Sequence, residues 1–211
     1  MRRTNDLGKD SMLPLIIRLA VPAMLAQLVN VLYSIIDRMY IGNIPVVGDV
    51  ALAGVGVCGP IVTLFTSFAT LVGVGGSILM AMKMGQKKNR EAEDILSTST
   101  SMLIILSVVL TIVFLMMKKY LLIWFGTSPE TFPYANTYLT IYTLGTVFAM
   151  MALGLNYFVS GQGFASVAMF SVFIGAISNI ILDGVFIFGF GMGIGRAAVA
   201  TVIAQMFYFL W

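Results

Sequence analysis

Two residues one helical turn apart carry the chemistry open to this chain. Asp183 stands in the apolar stretch 167–191 with no basic residue within twelve positions, and Asn179 precedes it by four residues in the string NIILD. A carboxylate in a segment able to cross a bilayer costs about 2.5–3.5 kcal/mol on insertion scales, so such a residue faces a cavity, an ion or a proton path rather than lipid. A spacing of four places both side chains on one helix face, where the amide could orient the carboxylate or help to hold a cation. Two more polar residues fall inside apolar segments, Asp37 and Thr201. Low dielectric disfavours the charged form of a carboxylate, whereas a cation or hydrogen-bond donors nearby favour it. A buried acid is therefore a group that an ion can switch. If H+ or Na+ reaches it from one side and leaves to the other, the ion and a cationic substrate exclude each other, which is antiport.

Each residue also has a duller reading. At 1.5 Å per residue a helix that starts at Leu15 has risen about 33 Å by Asp37, which places that acid among headgroups, paired to Arg38. Asp183 reads equally as a helix-end acid near Gly189 or as a structural hydrogen-bonding group. Thr201 reads as a hydroxyl satisfying a backbone carbonyl in its own helix.

These residues need a membrane to sit in, and the composition supplies one. The chain is 59% hydrophobic and 10% charged with a mean hydropathy of +0.99, against roughly 25% charged residues in soluble domains. Several apolar runs reach the ~20 residues a membrane-crossing helix requires, without the ten-residue alternation of a transmembrane barrel. The sequence predicts an all-α polytopic membrane protein: an N-terminal segment over 1–13, then a lobe over 14–211 with spans at 14–40, 50–82, 95–117, 134–158, 165–189 and 194–211. The second span is too long for one straight crossing, so a break or kink is expected near Pro60. The last span stops at about the minimum length with Tyr208 and Trp211 as interfacial anchors, and the chain reads as truncated there.

Lys and Arg accumulate on the cytoplasmic side of membrane proteins. Arg2, Arg3, Lys9, Arg18, Lys83, Lys87, Lys88 and Arg90 flank one side of these spans, against Arg38, Lys118, Lys119 and Arg196 on the other. Eight against four puts the N-terminus in the cytoplasm and the chain in the cell membrane. The same bias accounts for the net charge of +3 without a nucleic-acid partner. The first apolar run continues far past the 7–15 residues of a signal-peptide core and has no cleavage site, so it is a retained helix. Cys58 is the single cysteine and there is no His, which argues against transition-metal and Cys–His chemistry and against an enzyme. GVGVCG and VGVGGS lack the Lys-Ser/Thr of a nucleotide loop, which excludes ATP-driven transport within this chain. Pro22 bends the first span or hinges it. Ala69-x-x-x-Gly73 and Gly145-x-x-x-Ala149 read as packing devices.

In order along the chain, LIIRLAVPAMLAQLVNVLYSIIDRMYIG, ALAGVGVCGPI, KMGQKKNREAE, NYFVSGQG and NIILD resemble the N-terminal lobe of prokaryotic multidrug and toxic compound extrusion (MATE) transporters. The resemblance covers nearly the whole chain. It implies one six-helix lobe of a twelve-helix fold that exports organic cations or drugs in exchange for H+ or Na+, with no cofactor beyond that coupling ion. It implies an ion site at Asp37, Asn179, Asp183 and Thr201, with Na+ at Asp37, Asn179 and Asp183 as one form of it, and a hinge at Pro22. Tyr138 and Asn156 are expected to line the same cavity. The implied partners are cationic or amphipathic small molecules, membrane lipid, and either a C-terminal lobe or a second half-transporter chain. Two alternatives stay open, a non-transporting remnant and a lipid-linked sugar flippase of the same superfamily. The flippase calls for more cavity cations than Arg18 and Arg38.

Overall fold

The structure, a computed structural model, describes residues 12–189 and 194–210. The basic residues Arg2, Arg3 and Lys9, most of the 1–13 segment, the Trp211 anchor and the side chain of Arg196 lie outside the described residues. The described residues form helices joined by short turns: α1 (Met12–Gly42), α2 (Gly48–Gly85), α3 (Asn89–Trp124), α4 (Phe132–Leu144), α5 (Thr146–Gly161), α6 (Ala165–Gly184), which runs on into a π-helical turn (Val185–Gly189), and α7 (Ile194–Leu210). Helices α1, α2, α3 and α6 are each long and apolar enough to cross a bilayer, and α4 with α5 make one bent crossing. The 17 residues of α7 reach the lower end of what a span needs. By length and composition the described residues thus hold four candidate spans, five with the bent pair, and a shorter apolar helix at the position of the sixth predicted span.

Of the break or kink expected in the second span, the break does not occur. α2 runs unbroken through Pro60 for 38 residues, whereas the fourth span breaks by 56° between α4 and α5. The break falls at Gly145, and α7 explains it: a Cβ on Gly145 would lie 2.3 Å from Cγ2 and 3.0 Å from Cβ of Val202. Glycine is the weakest helix former after proline, and here it also admits a neighbouring side chain into the corner.

Local chemistry ends the other helices. Gly126 (φ +90°) follows α3 and Gly163 (φ +88°) follows α5, the left-handed geometry that closes a helix and suits glycine. The second of these is the GQG turn, where Gly163 N–H donates to Ser160 O and Phe164 N–H to Val159 O. After α2 the chain turns through Lys87, and Glu91 at the start of α3 pairs with Lys83 (2.6 Å) and Lys88 (3.0 Å). Ser128 and Thr131 bond each other's backbone N–H before α4, with Pro133 in its first turn.

Helix α2 packs against α3, α4 and α5, and its Phe65 meets Phe114 of α3 at 4.6 Å between centroids. The expected small-residue packing is present, since a Cβ on Gly73 would lie 2.9 Å from the Gly154 carbonyl. Cys58 is buried, its thiol directed at the carbonyls of Gly54 and Ala135, so it ties α2 to α4. α1 lies at the edge of this bundle. Ile41 is its one buried apolar residue among the described residues, and it packs chiefly on α6. Large apolar side chains such as Met24, Leu28, Ile105 and Met116 face outward, as lipid contact requires.

Candidate ion site and cavity

Three helices bring the predicted polar residues together. Asn30, Tyr33 and Asp37 follow one another on α1 at spacings of three and four, which is one face of a helix. That face runs alongside α6 in the same direction: Tyr33 borders a small cavity with Gly175, Ala176 and Asn179, and higher up Tyr40 approaches Gly184. Gly175 also lets α7 approach, because a Cβ there would lie 3.1 Å from the Cβ of Tyr208.

Asp183 ends α6 at the start of the π-helical turn and exposes none of its surface. Such turns widen a helix by one residue and recur at functional positions. Asp37 lies beside it, close enough for the two carboxyl groups to act on one another electrostatically. Neither oxygen of Asp183 and not the buried Oδ1 of Asp37 has a donor. Asn179 is 3% exposed, and its Nδ2 donates to the Thr201 hydroxyl at 3.4 Å, which in turn donates to the Ala197 carbonyl at 3.0 Å. The hydroxyl of Thr201 thus satisfies its own helix, as its duller reading expects, and also meets Asn179. That chain fixes the amide with its Oδ1 buried and free of any donor. Buried polar atoms are normally hydrogen-bonded, so oxygens left bare by Asp37, Asp183 and Asn179 make an acceptor set that a proton or a hard cation such as Na+ would satisfy.

Two cavities lie along α1 and α7, and neither has Asp37 or Asp183 in its wall. One of about 50 Å³ lies among α1, α6 and α7 and includes Asn179 and Thr201 in its wall. The other, of about 700 Å³, opens between α1 and α2 and reaches Tyr142, Tyr157 and Arg38. Asn30, Tyr33, Gln205 and Tyr208 border both. Gln205 donates to the Tyr142 hydroxyl at 3.4 Å, and its own Oε1 is buried without a donor.

Several expectations need adjusting. Asn156 is not on the wall of the large cavity. Its amide donates to the Ala168 carbonyl at 2.9 Å and ties α5 to α6, and the neighbouring Tyr157 takes the cavity position. Tyr138 is buried behind the wall, stacked on Tyr142 with centroids 6.1 Å apart and within electrostatic range of Asp37. Tyr208 is no interfacial anchor, because it packs on Gly175 and borders both cavities. Pro22 lies within the continuous α1. Sequence reasoning missed Asn30, Tyr33, Tyr142 and Gln205. Three of them were within reach, since Asn30 and Tyr33 share a helix face with Asp37 and Gln205 follows Thr201 by four.

Comparison with known proteins places this arrangement among transporters. The family model described as MatE matches residues 22–185. The multidrug export protein MepA of Staphylococcus saprophyticus is 25% identical over 208 residues, which is 96% of this chain and 46% of that protein. MepA of Staphylococcus haemolyticus is 25% identical over 197 residues, 93% of this chain and 43% of its own length. Among solved structures, a MOP superfamily transporter from Pyrococcus furiosus Vc1 superposes with a TM-score of 0.86 at 28% identity, over 93% of this chain and 43% of that one. An outward-facing multidrug resistance MATE family transporter of the same superfamily gives the same TM-score, identity and coverage. The chain therefore spans a little under half the length of the curated relatives it matches.

Proposed function

Since the chain belongs to the MatE family of multidrug efflux transporters, we propose that it is the ion-binding lobe of a secondary transporter that exchanges organic cations or drugs for H+ or Na+. The observation that carries this reading is that Asp37, Asp183 and Asn179 hold buried oxygens that lack any donor, while Asn30 and Tyr33, on the same face of α1 as Asp37, line a cavity of about 700 Å³. A cation on that acceptor set removes the cost of the bare oxygens, and an empty set attracts a cationic ligand into the adjoining space. The two occupancies oppose each other, which couples ion entry to substrate exit. Asn30, Tyr33, Gln205 and Tyr208 lie between the two spaces and are the groups through which one occupancy alters the other.

Alternating access in two-lobed carriers comes from one bundle rocking against its counterpart. The motion therefore needs a second six-helix unit, supplied by a longer polypeptide or by another chain. We place the N-terminus in the cytoplasm and the protein in the cell membrane, because the basic residues crowd the α2–α3 turn and the start of α1. Pro22 is the bend about which α1 would carry Asp37 toward or away from Asp183.

The test is exchange in sealed vesicles that carry the transporter. A gradient of H+ or Na+ should drive ethidium against its own gradient, and Asp183→Asn should reduce the rate at least a hundredfold, about 2.7 kcal/mol at 1.36 kcal/mol per decade. Gradient-driven movement that survives neutralisation of both Asp37 and Asp183 would sink this reading.

A further inference from the structure

Helix α2 presents its two sides to different surroundings. Thr63, Thr66 and Thr70 line the large cavity, and at about 100° per residue Val72, Gly76 and Leu79 point to the opposite side of the helix. There an open groove of about 430 Å³ runs between α2 and α3, within the size range of ligand sites and outside the space assigned to transport. Its floor is set by Gly76, where a Cβ would lie 2.6 Å from Ser99 Oγ and 2.5 Å from Cζ of Phe158. Leu71, Leu79 and Met102 wall it with apolar surface that is about half exposed or more. The α3 side changes character along its length. Met102 begins an apolar run that ends at Lys118, and a crossing of ~20 residues that stops there starts near Thr98. Asp94 lies one turn further out, at headgroup level, and Arg90 a turn beyond it on the same helix face. Asp94 and Thr98 both line the groove. Both side chains of the Arg90–Asp94 pair are exposed, and among the described residues both ion pairs are made by Glu91, so the two charges stand one turn apart without closing on each other. Attraction across an exposed turn is weak and is readily exchanged for outside partners of the same charges.

We propose that this groove binds a phospholipid with a primary-amine headgroup, phosphatidylethanolamine, with its ammonium on Asp94 and the Thr98 hydroxyl, its phosphate on Arg90 and an acyl chain along Leu71 and Met102. A zwitterionic headgroup carries the same two charges as the Arg90–Asp94 turn with the signs exchanged. A primary ammonium offers three N–H donors to a carboxylate and a hydroxyl, whereas a choline headgroup offers none. The guanidinium fork matches a phosphate, and the long arginine stem lets it reach back along the interface. The site is separate from the ion site and does not depend on the transport reading. With the N-terminus in the cytoplasm, it reads the composition of the inner leaflet.

Native mass spectrometry of the purified full chain, delipidated in detergent and titrated with dioleoyl phosphatidylethanolamine or dioleoyl phosphatidylcholine, reads the two affinities. The ethanolamine lipid should bind about fivefold more tightly, the scale of one exposed ion pair, and successive N-methylation of its headgroup should lower the affinity stepwise. Asp94→Ala should bring the ratio close to one while the choline lipid is still bound, and Arg90→Gln should weaken both lipids alike. Equal affinities in the unaltered protein overturn the site, and so does a preference that survives Asp94→Ala. Dimers that form without lipid and are broken up by Asp94→Ala would give the groove to a second copy of the chain and likewise overturn it.

Discussion

Replacing Asp183 by Asn should make the protein more stable while removing its proposed activity. Asp183 is fully buried and both of its oxygens lack donors, with the bare Oδ1 of Asp37 beside them. Asn has nearly the same shape, carries no charge and brings an N–H₂ group that can donate to the Asp37 carboxyl. A hydrogen bond to a charged group contributes ~1.5–3 kcal/mol, and imperfect geometry argues for the lower half of that range, so the expected gain is about 2 kcal/mol. At roughly 2–4 °C per kcal/mol for a chain of this size, Tm should rise by about 4–8 °C. The assay is thermal unfolding of the detergent-solubilised protein, followed by tryptophan fluorescence and checked by size-exclusion elution after heating. An acid kept for structure behaves in the opposite way, because its removal takes away bonds. A fall in Tm of more than a few degrees would show that Asp183 has partners that stabilise the fold, and the argument from its bare oxygens would fail.

Other substitutions probe the scaffold. Gly145→Ala drives a methyl into Val202 at 2.3 Å, and overpacking of a stiff β-branched neighbour should cost ~2–3 kcal/mol. Adding Val202→Ala should recover about half of that loss in denaturant unfolding, and purely additive losses would mean that the two residues do not meet. Asn156→Ala removes the bond to the Ala168 carbonyl and should destabilise by ~1 kcal/mol with ligand affinity unchanged. A large affinity loss without a stability loss would return Asn156 to the cavity wall.

The helices were legible because a bilayer demands long apolar runs, and those runs stand out wherever Lys, Asp and Gly interrupt them. The predicted spans agree with the observed helices to within a few residues at most ends, the third span reaching further on both sides. The location of the break was not legible in the same way. Pro60 removes a backbone donor, but the long α2 absorbs that loss. Gly145 breaks the fourth span because Val202, fifty-seven residues later, occupies its corner, and a single-chain reading has no access to that contact. Asn179 and Asp183 were legible from their mutual spacing and apolar surroundings. Asp37 was ambiguous because height along a helix does not reveal which way the side chain points. Asn156 and Tyr157 differ by one position, about 100° of rotation, and only the packing of α5 on α6 decides which of them meets the cavity. Tyr208 looked like an anchor because tyrosine near a helix end commonly is one, and Gly175 on α6 is what draws it inward.

The two acids stand on different helices, and this has a mechanical consequence. Asp183 is fixed in the packed bundle, whereas Asp37 rides on α1, which lies at the edge of that bundle with little of its own surface buried. From Pro22 to Asp37 the helix forms an arm ~22 Å long at 1.5 Å per residue. Each degree of bend at the proline would therefore displace Asp37 by ~0.4 Å, and a bend of about 5° would displace it by ~2 Å, the difference between close approach and a gap that admits water. Under the proposed hinge, a charge gained or lost between two side chains would be converted into the angle of a whole helix, and the lever would turn a local titration into a change of shape along one wall of the cavity.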